Sequence, residues 1–109
     1  MTSRLEKIQA MLKDDPEDTF LRYSLALEQE KIGEYEASDA GLRALMNDDP
    51  PYVPAFFMLA QHLVRRDDAL INAARTVLRE GIEIARKQGN DHAAGEMSEF
   101  LASLGEAGE

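Results

Sequence analysis

Residues 8–16 read IQAMLKDDP, and residues 42–50, 34 positions further on, read LRALMNDDP. Four of the nine positions are identical, and Ile8/Leu42, Met11/Leu45 and Leu12/Met46 keep apolar character. At the same offset Leu25-Ala26 returns as Leu59-Ala60, and Phe57 answers Tyr23. A fixed offset of this size narrows the folds open to the chain. Each period must be one supersecondary unit that cannot bury its apolar face alone. Both copies end in Asp-Asp-Pro, where the residue before proline is pushed out of the helical region.

Between these stops the apolar spacing is helical. Thr2 or Ser3 can cap a helix over residues 3–13, with Leu5, Ile8, Met11 and Leu12 on one stripe. A second helix runs from Pro16 to Ile32, capped by Asp15, with Leu21, Leu25, Ala26 and Ile32 directed to the core. Gly33 supplies a turn, since glycine enters the left-handed region without a Cβ penalty. A third helix spans about Tyr35 to Asn47, and Gly41 inside it marks a close helix crossing. Pro50-Pro51 breaks the chain, and Pro54 opens a helix to about Arg66 that buries Phe56, Leu59, Ala60 and Leu63. Leu70, Ala74, Leu78, Gly81, Ile82 and Ala85 then share a face down to a stop at Gly89. Asp91 caps a last helix carrying Ala94, Met97, Phe100, Leu101 and Leu104, and residues 105–109 form a flexible acidic tail.

The period and its punctuation resemble the tetratricopeptide repeat, a helix–turn–helix unit. The pattern's Leu-then-small pair matches Leu25-Ala26, its turn glycine Gly33, and its following aromatic Tyr35. Its alanine slot holds Ser38, its large apolar slot Leu42, and its closing proline is Pro50. Leu45 stands where alanine is usual and Arg22 where tryptophan is frequent. The resemblance implies an all-α fold of about six helices, a right-handed stack of antiparallel helix pairs. One domain over residues 1–104 is expected: a half repeat at 3–15, one repeat at 16–50, an irregular second at 51–89, and a capping helix at 91–104. In the second repeat Asp67-Asp68 replaces the turn glycine, and the following helix overruns the 34-residue frame by about a turn.

Composition bounds the function. With 44% apolar residues the chain is a folding sequence. It has no cysteine, which removes disulfides, thiolate metal sites and cysteine nucleophiles. The net charge of −9 opposes binding to phosphate backbones, so no nucleic-acid partner is expected. Residues 1–64 set 6 basic against 12 acidic side chains, residues 65–87 carry +2, and residues 88–109 carry −5. Arg65, Arg66, Arg75, Arg79, Arg86 and Lys87 make the middle segment basic, either as a solvated helix face or as a patch for an acidic peptide. Met1-Thr-Ser-Arg-Leu-Glu has no apolar leader region and no stretch reaches about 18 apolar residues, so a cytoplasmic protein with no membrane partner is expected.

No catalytic, cofactor or metal site is expected. His62 reads as a groove or flank polar residue and His92 as an exposed residue in a helix's first turn, with no base–orienter pattern around either. The pairs Asp14/Asp15, Asp48/Asp49 and Asp67/Asp68 lack the spacing of a calcium loop and read as caps and stops. The resemblance implies instead a protein-binding groove lined by the first helix of each repeat. Mapped here, its positions are Phe20, Tyr23, Leu27, Glu30 and Lys31, then Pro54, Phe57, Gln61, Val64 and Arg65. Tyr23 and Phe57, one repeat apart, would be neighbouring groove residues; the competing reading makes both of them core. Repeats that clamp the acidic termini of heat-shock chaperones use lysine and asparagine where this chain has Tyr23, Leu27, Phe57 and Gln61, so an apolar or amphipathic ligand fits better. The leading expectation is a non-enzymatic adaptor binding a partner's peptide or helix, as a monomer or weak homodimer. A self-associating structural subunit is the alternative, and an unrecognised enzyme the third.

Overall fold

A computed structural model describes residues 3–105. Those residues form six α-helices and no strand: α1 (Arg4–Asp14), α2 (Thr19–Lys31), α3 (Tyr35–Met46), α4 (Val53–Arg66), α5 (Ile71–Lys87) and α6 (Asp91–Ser103). A single 3₁₀ turn, Asp68–Leu70, precedes α5. The chain divides into two compact units, Met1–Tyr52 and Val53–Glu109, just beyond the second Asp-Asp-Pro stop. The expected tail beyond Gly105, and Thr2 as a cap, lie outside the described residues.

In the first unit α2 packs against both α1 and α3. A reciprocal capping box starts α1: Glu6 N donates to Ser3 Oγ at 3.1 Å, and Ser3 N donates to Glu6 Oε1 at 3.0 Å. The start of α2 differs from expectation. Asp18, not Asp15, is the cap, its Oδ1 accepting from Leu21 N at 2.8 Å, and Pro16-Glu17 lie in the preceding turn. Asp18 stands three residues before a free N–H, which is the reach a capping carboxylate needs. The helix stops at Gly33, whose φ is +86°. Gly33 N donates to Glu30 O at 3.2 Å and Glu34 N to Gln29 O at 2.8 Å, the paired bonds of a Schellman stop.

The α2–α3 crossing is built from small residues. Ser38 is fully buried and its Oγ donates to Ala26 O at 2.7 Å, so the residue in the alanine slot also ties α3 to the main chain of α2. A Cβ on Gly41 would lie 3.6 Å from Ala26 Cβ, ordinary contact rather than overlap. Leu42, Leu45 and Met46 complete the buried face of α3. Beyond its end, Arg22 holds Asp48 in a two-pronged ion pair at 2.7 and 3.2 Å. The hydrogen bond to Asp48 is the main reason the guanidinium is held even more firmly protonated than usual. Asp14 is the last residue of α1, whereas Asp48 lies past the end of α3, so the two echoed motifs do different work. The Asp49–Pro50 bond is cis. Two expected core residues are not core: Ile32 is 52% exposed because it follows the last turn of α2, and Met11 is 49% exposed near the end of α1.

In the second unit α5 packs against α4 and α6. Pro54 lies in the first turn of α4, as its missing N–H permits. Asp67 caps the 3₁₀ turn by accepting from Ala69 N at 2.9 Å, which moves Leu70 out of the long helix expected there. Ala74, Val77, Leu78, Gly81, Ile82 and Ala85 form the buried face of α5. Gly89, with φ of +74°, ends it by the same paired bonds as Gly33: Gly89 N to Arg86 O at 3.0 Å and Asn90 N to Ala85 O at 2.8 Å. Asn90, rather than Asp91, caps α6 by accepting from Ala93 N at 3.1 Å; Asp91 is already the first helical residue. His62 is another correction: it is 3% exposed, inside the α4 face with Leu59 and Leu63, and not a flank residue.

The most crowded glycine in this unit is Gly81. A Cβ there would stand 2.6 Å from Phe56 Cβ and 2.8 Å from Met97 Sδ. Phe56 Cβ is the first atom off the main chain and cannot swing aside, so the helices themselves would have to separate. Gly81→Ala is therefore expected to destabilise by ~1–3 kcal/mol, outweighing the helix-propensity gain. Gly41→Ala, where the new methyl meets ordinary contact, is expected to stabilise by ~0.5–1 kcal/mol. Urea unfolding of the two variants checks the opposite signs.

Candidate interaction surfaces

The expected groove positions fall on α2 and α4, one helix in each unit, and each unit supplies its aromatic residue with a partner from its own chain segment. On α2, Tyr23 is half-buried and meets Tyr52 edge-on, ring centres 5.4 Å apart at 74°. Such offset geometry sets the positive edge of one ring against the negative face of the other. On α4, Phe57 is half-buried and lies 5.5 Å from Phe100 of α6, tilted by 57°. Tyr23 and Phe57 are thus neither wholly core nor free: each has one side packed within its unit. Neither partner announces itself locally in the sequence. Tyr52 sits in the segment after Pro50-Pro51, and Phe100 lies on the α6 stripe among other apolar residues.

Of the remaining expected positions, Leu27, Glu30, Gln61 and Val64 are half-buried, and Phe20, Lys31, Pro54 and Arg65 are exposed. Phe20 is the most open of the exposed large apolar residues at 68%, in the first turn of α2. Sequence reasoning did not single out the other end of α2. There Ile32 and the 45% exposed Tyr35 flank the Gly33 turn, and residues Gly33 to Ala37 line an open depression of about 410 Å³. In the second unit Phe57, Phe100, Glu96 and Glu99 line a second depression of about 320 Å³. His92 is exposed, its Nε2 3.5 Å from Glu96 Oε2 one turn along α6.

One member of the basic stretch is engaged within the fold. Arg75 is used structurally, its Nη1 donating to Asn72 Oδ1 at 2.7 Å and its Nη2 to Leu104 O at 3.0 Å, which satisfies a carbonyl at the end of α6. Arg65, Arg79, Arg86 and Lys87 are exposed. Among the described residues no group of three or more His, Asp or Glu side chains is placed to hold a metal ion. No described helix is long and apolar enough to cross a membrane.

No family model and no curated protein matches the sequence. Among solved structures, the chain is similar to the solution structure of protein BPP2914 from Bordetella parapertussis. The TM-score is 0.74 at 28% identity, over 95% of this chain and 89% of that one.

Burial raises the Tyr23 phenol above its ordinary value of 10.0, and the nearby Tyr52 adds a smaller push in the same direction. The folded chain therefore favours the neutral phenol. That contribution to stability is complete below the unfolded value near 10 and is lost as pH rises through the raised one. Tyr23→Phe, which cannot ionise, is expected to lose less stability than the parent as pH rises from about 9 through the raised phenol value. Urea midpoints measured across that range check it; parallel curves would mean that Tyr23 is solvated.

Proposed function

We propose that the chain is a non-enzymatic interaction module of the tetratricopeptide type, built from antiparallel helix pairs, that holds a peptide or helix of a partner protein. The observation that carries this reading is that Phe20, Ile32, Met11 and Tyr35, all in the first unit, are large apolar residues and all at least 45% exposed. Single exposed apolar residues are ordinary, but several on so small a unit are of the kind that partners cover. Support for the repeat type comes from the α2–α3 hairpin. Its turn glycine and its small crossing residues Ala26 and Ser38 occupy the slots where the repeat pattern asks for them. The same side chains would serve a homodimer, the second reading, although a net charge of −9 opposes self-pairing.

Phe20 and Ile32 offer the cleanest test, because each exposes most of its surface and truncating Tyr23 or Phe57 would also disturb packing. The paired variant Phe20→Ser, Ile32→Lys is expected to keep its stability within about ±0.5 kcal/mol. Immobilised parent chain should retain a partner from lysate of the source cell, identified by mass, and the variant should lose it. Retention of the same protein by both chains would overturn the assignment of these residues to binding. Light scattering decides the second reading: a monomer at high concentration removes the homodimer.

A further inference from the structure

The geometry points to a second, chemically distinct docking position: the Phe57–Phe100 depression with Glu96 and Glu99 receives an arginine side chain from a basic segment of the partner protein. This rests on the interaction-module reading and names the chemistry that one of its surfaces selects. Phe57 and Phe100 are half-buried and tilted by 57°, so their packing leaves ring surface open to the depression. Glu96 and Glu99 are three residues apart on α6 and therefore on one face of it. Both are exposed, and both line the same depression of about 320 Å³.

Charge selects the occupant. Helix α6 carries Asp91, Glu96 and Glu99 with neither lysine nor arginine, and residues 88–109 sum to −5. The neighbouring cationic candidate on α6 is the ring of His92, 3.5 Å from Glu96, which leaves Glu99 without an ionic partner among the described residues of that helix. Aromatic floor and carboxylate rim are together what a guanidinium uses: it is attracted to a ring face while its N–H groups form forked bonds to carboxylate. An acidic segment would meet repulsion here, and a purely apolar one would leave the carboxylates unanswered.

The test uses the full ¹⁵N-labelled chain and a short acetylated peptide with one arginine between leucines. Its citrulline version keeps the shape but removes the charge and replaces one N–H₂ donor with a carbonyl oxygen. Acetyl-arginine amide alone serves as the free cation. The arginine peptide should give saturable amide shifts centred on Phe57, Glu96, Glu99 and Phe100, and the citrulline peptide should bind roughly tenfold or more weakly. Glu96→Gln with Glu99→Gln, both on the exposed face, should abolish the difference between the two peptides. Equal binding of the arginine and citrulline peptides, shifts centred elsewhere, or equal affinity for acetyl-arginine amide and the arginine peptide would each overturn the proposal. No natural partner enters this titration, so its failure is distinguishable from failure of the capture experiment on the first unit.

Discussion

A helix clasped between two others can approach them closely only where side chains are small, and each unit is arranged around that constraint. In the first unit the clasped helix is α2, and Ala26 is the point where Ser38 and Gly41 of α3 come against it. In the second it is α5, and Gly81 is the point where Phe56 and Met97 close from either side. The two solutions differ in kind. At Gly41 there is room for a methyl, so the approach is stabilised by the Ser38 hydroxyl reaching a backbone carbonyl. At Gly81 there is no room, so the absent Cβ is itself the fit. Large side chains then take their places around these points: Leu42 and Leu45 in one unit, Phe56, Leu59 and Leu78 in the other.

How far the chain could be read from its residues follows from the range of the forces involved. The helices, the turns at Gly33 and Gly89, and the buried stripe of α5 are local consequences of period and backbone freedom, and they stand in the sequence. Boundaries were less legible, because neighbouring residues compete for one cap. Asp15 and Asp18, or Asn90 and Asp91, are equally able chemically, and the reach to the third N–H decides between them. Exposure at helix ends was misjudged for a related reason. Ile32 and Met11 keep the apolar spacing, but helical periodicity says nothing about where the neighbouring helix ends. The candidate surfaces were the least legible. Phe57 lies 43 positions from Phe100, and no local signal joins them.

Arg22 shows how a departure from a repeat pattern can be structural. In the tetratricopeptide pattern that the sequence resembles, this slot is frequently tryptophan, a large ring that would fill space between helices. Here a guanidinium extends instead to Asp48, with both carboxylate oxygens engaged, and so fastens α2 to the segment that follows α3. Both side chains are partly open to water, which limits what the pair adds to stability. Its two-pronged geometry still specifies where that segment lies, as a tryptophan could not. The Asp-Asp-Pro echo is therefore informative at its prolines and misleading at its aspartates. Asp48 has acquired a partner, whereas Asp14 closes α1 as its last residue.

The choice between groove and core for Tyr23 and Phe57 dissolves once their partners are known. A ring packed on one side contributes burial to its own unit, keeps its other side open, and is already ordered. Binding energy is reduced when a partner must first immobilise flexible side chains, at ~0.5–1.5 kcal/mol for each. Phe57 is already held by Phe100, and Tyr23 by Tyr52. What distinguishes the two positions is therefore their surroundings and not their burial. Tyr23 shares its helix with the open apolar ring of Phe20, whereas Phe57 faces two carboxylates. The first unit thus presents apolar side chains at these positions, and the second presents an aromatic pair beside carboxylates.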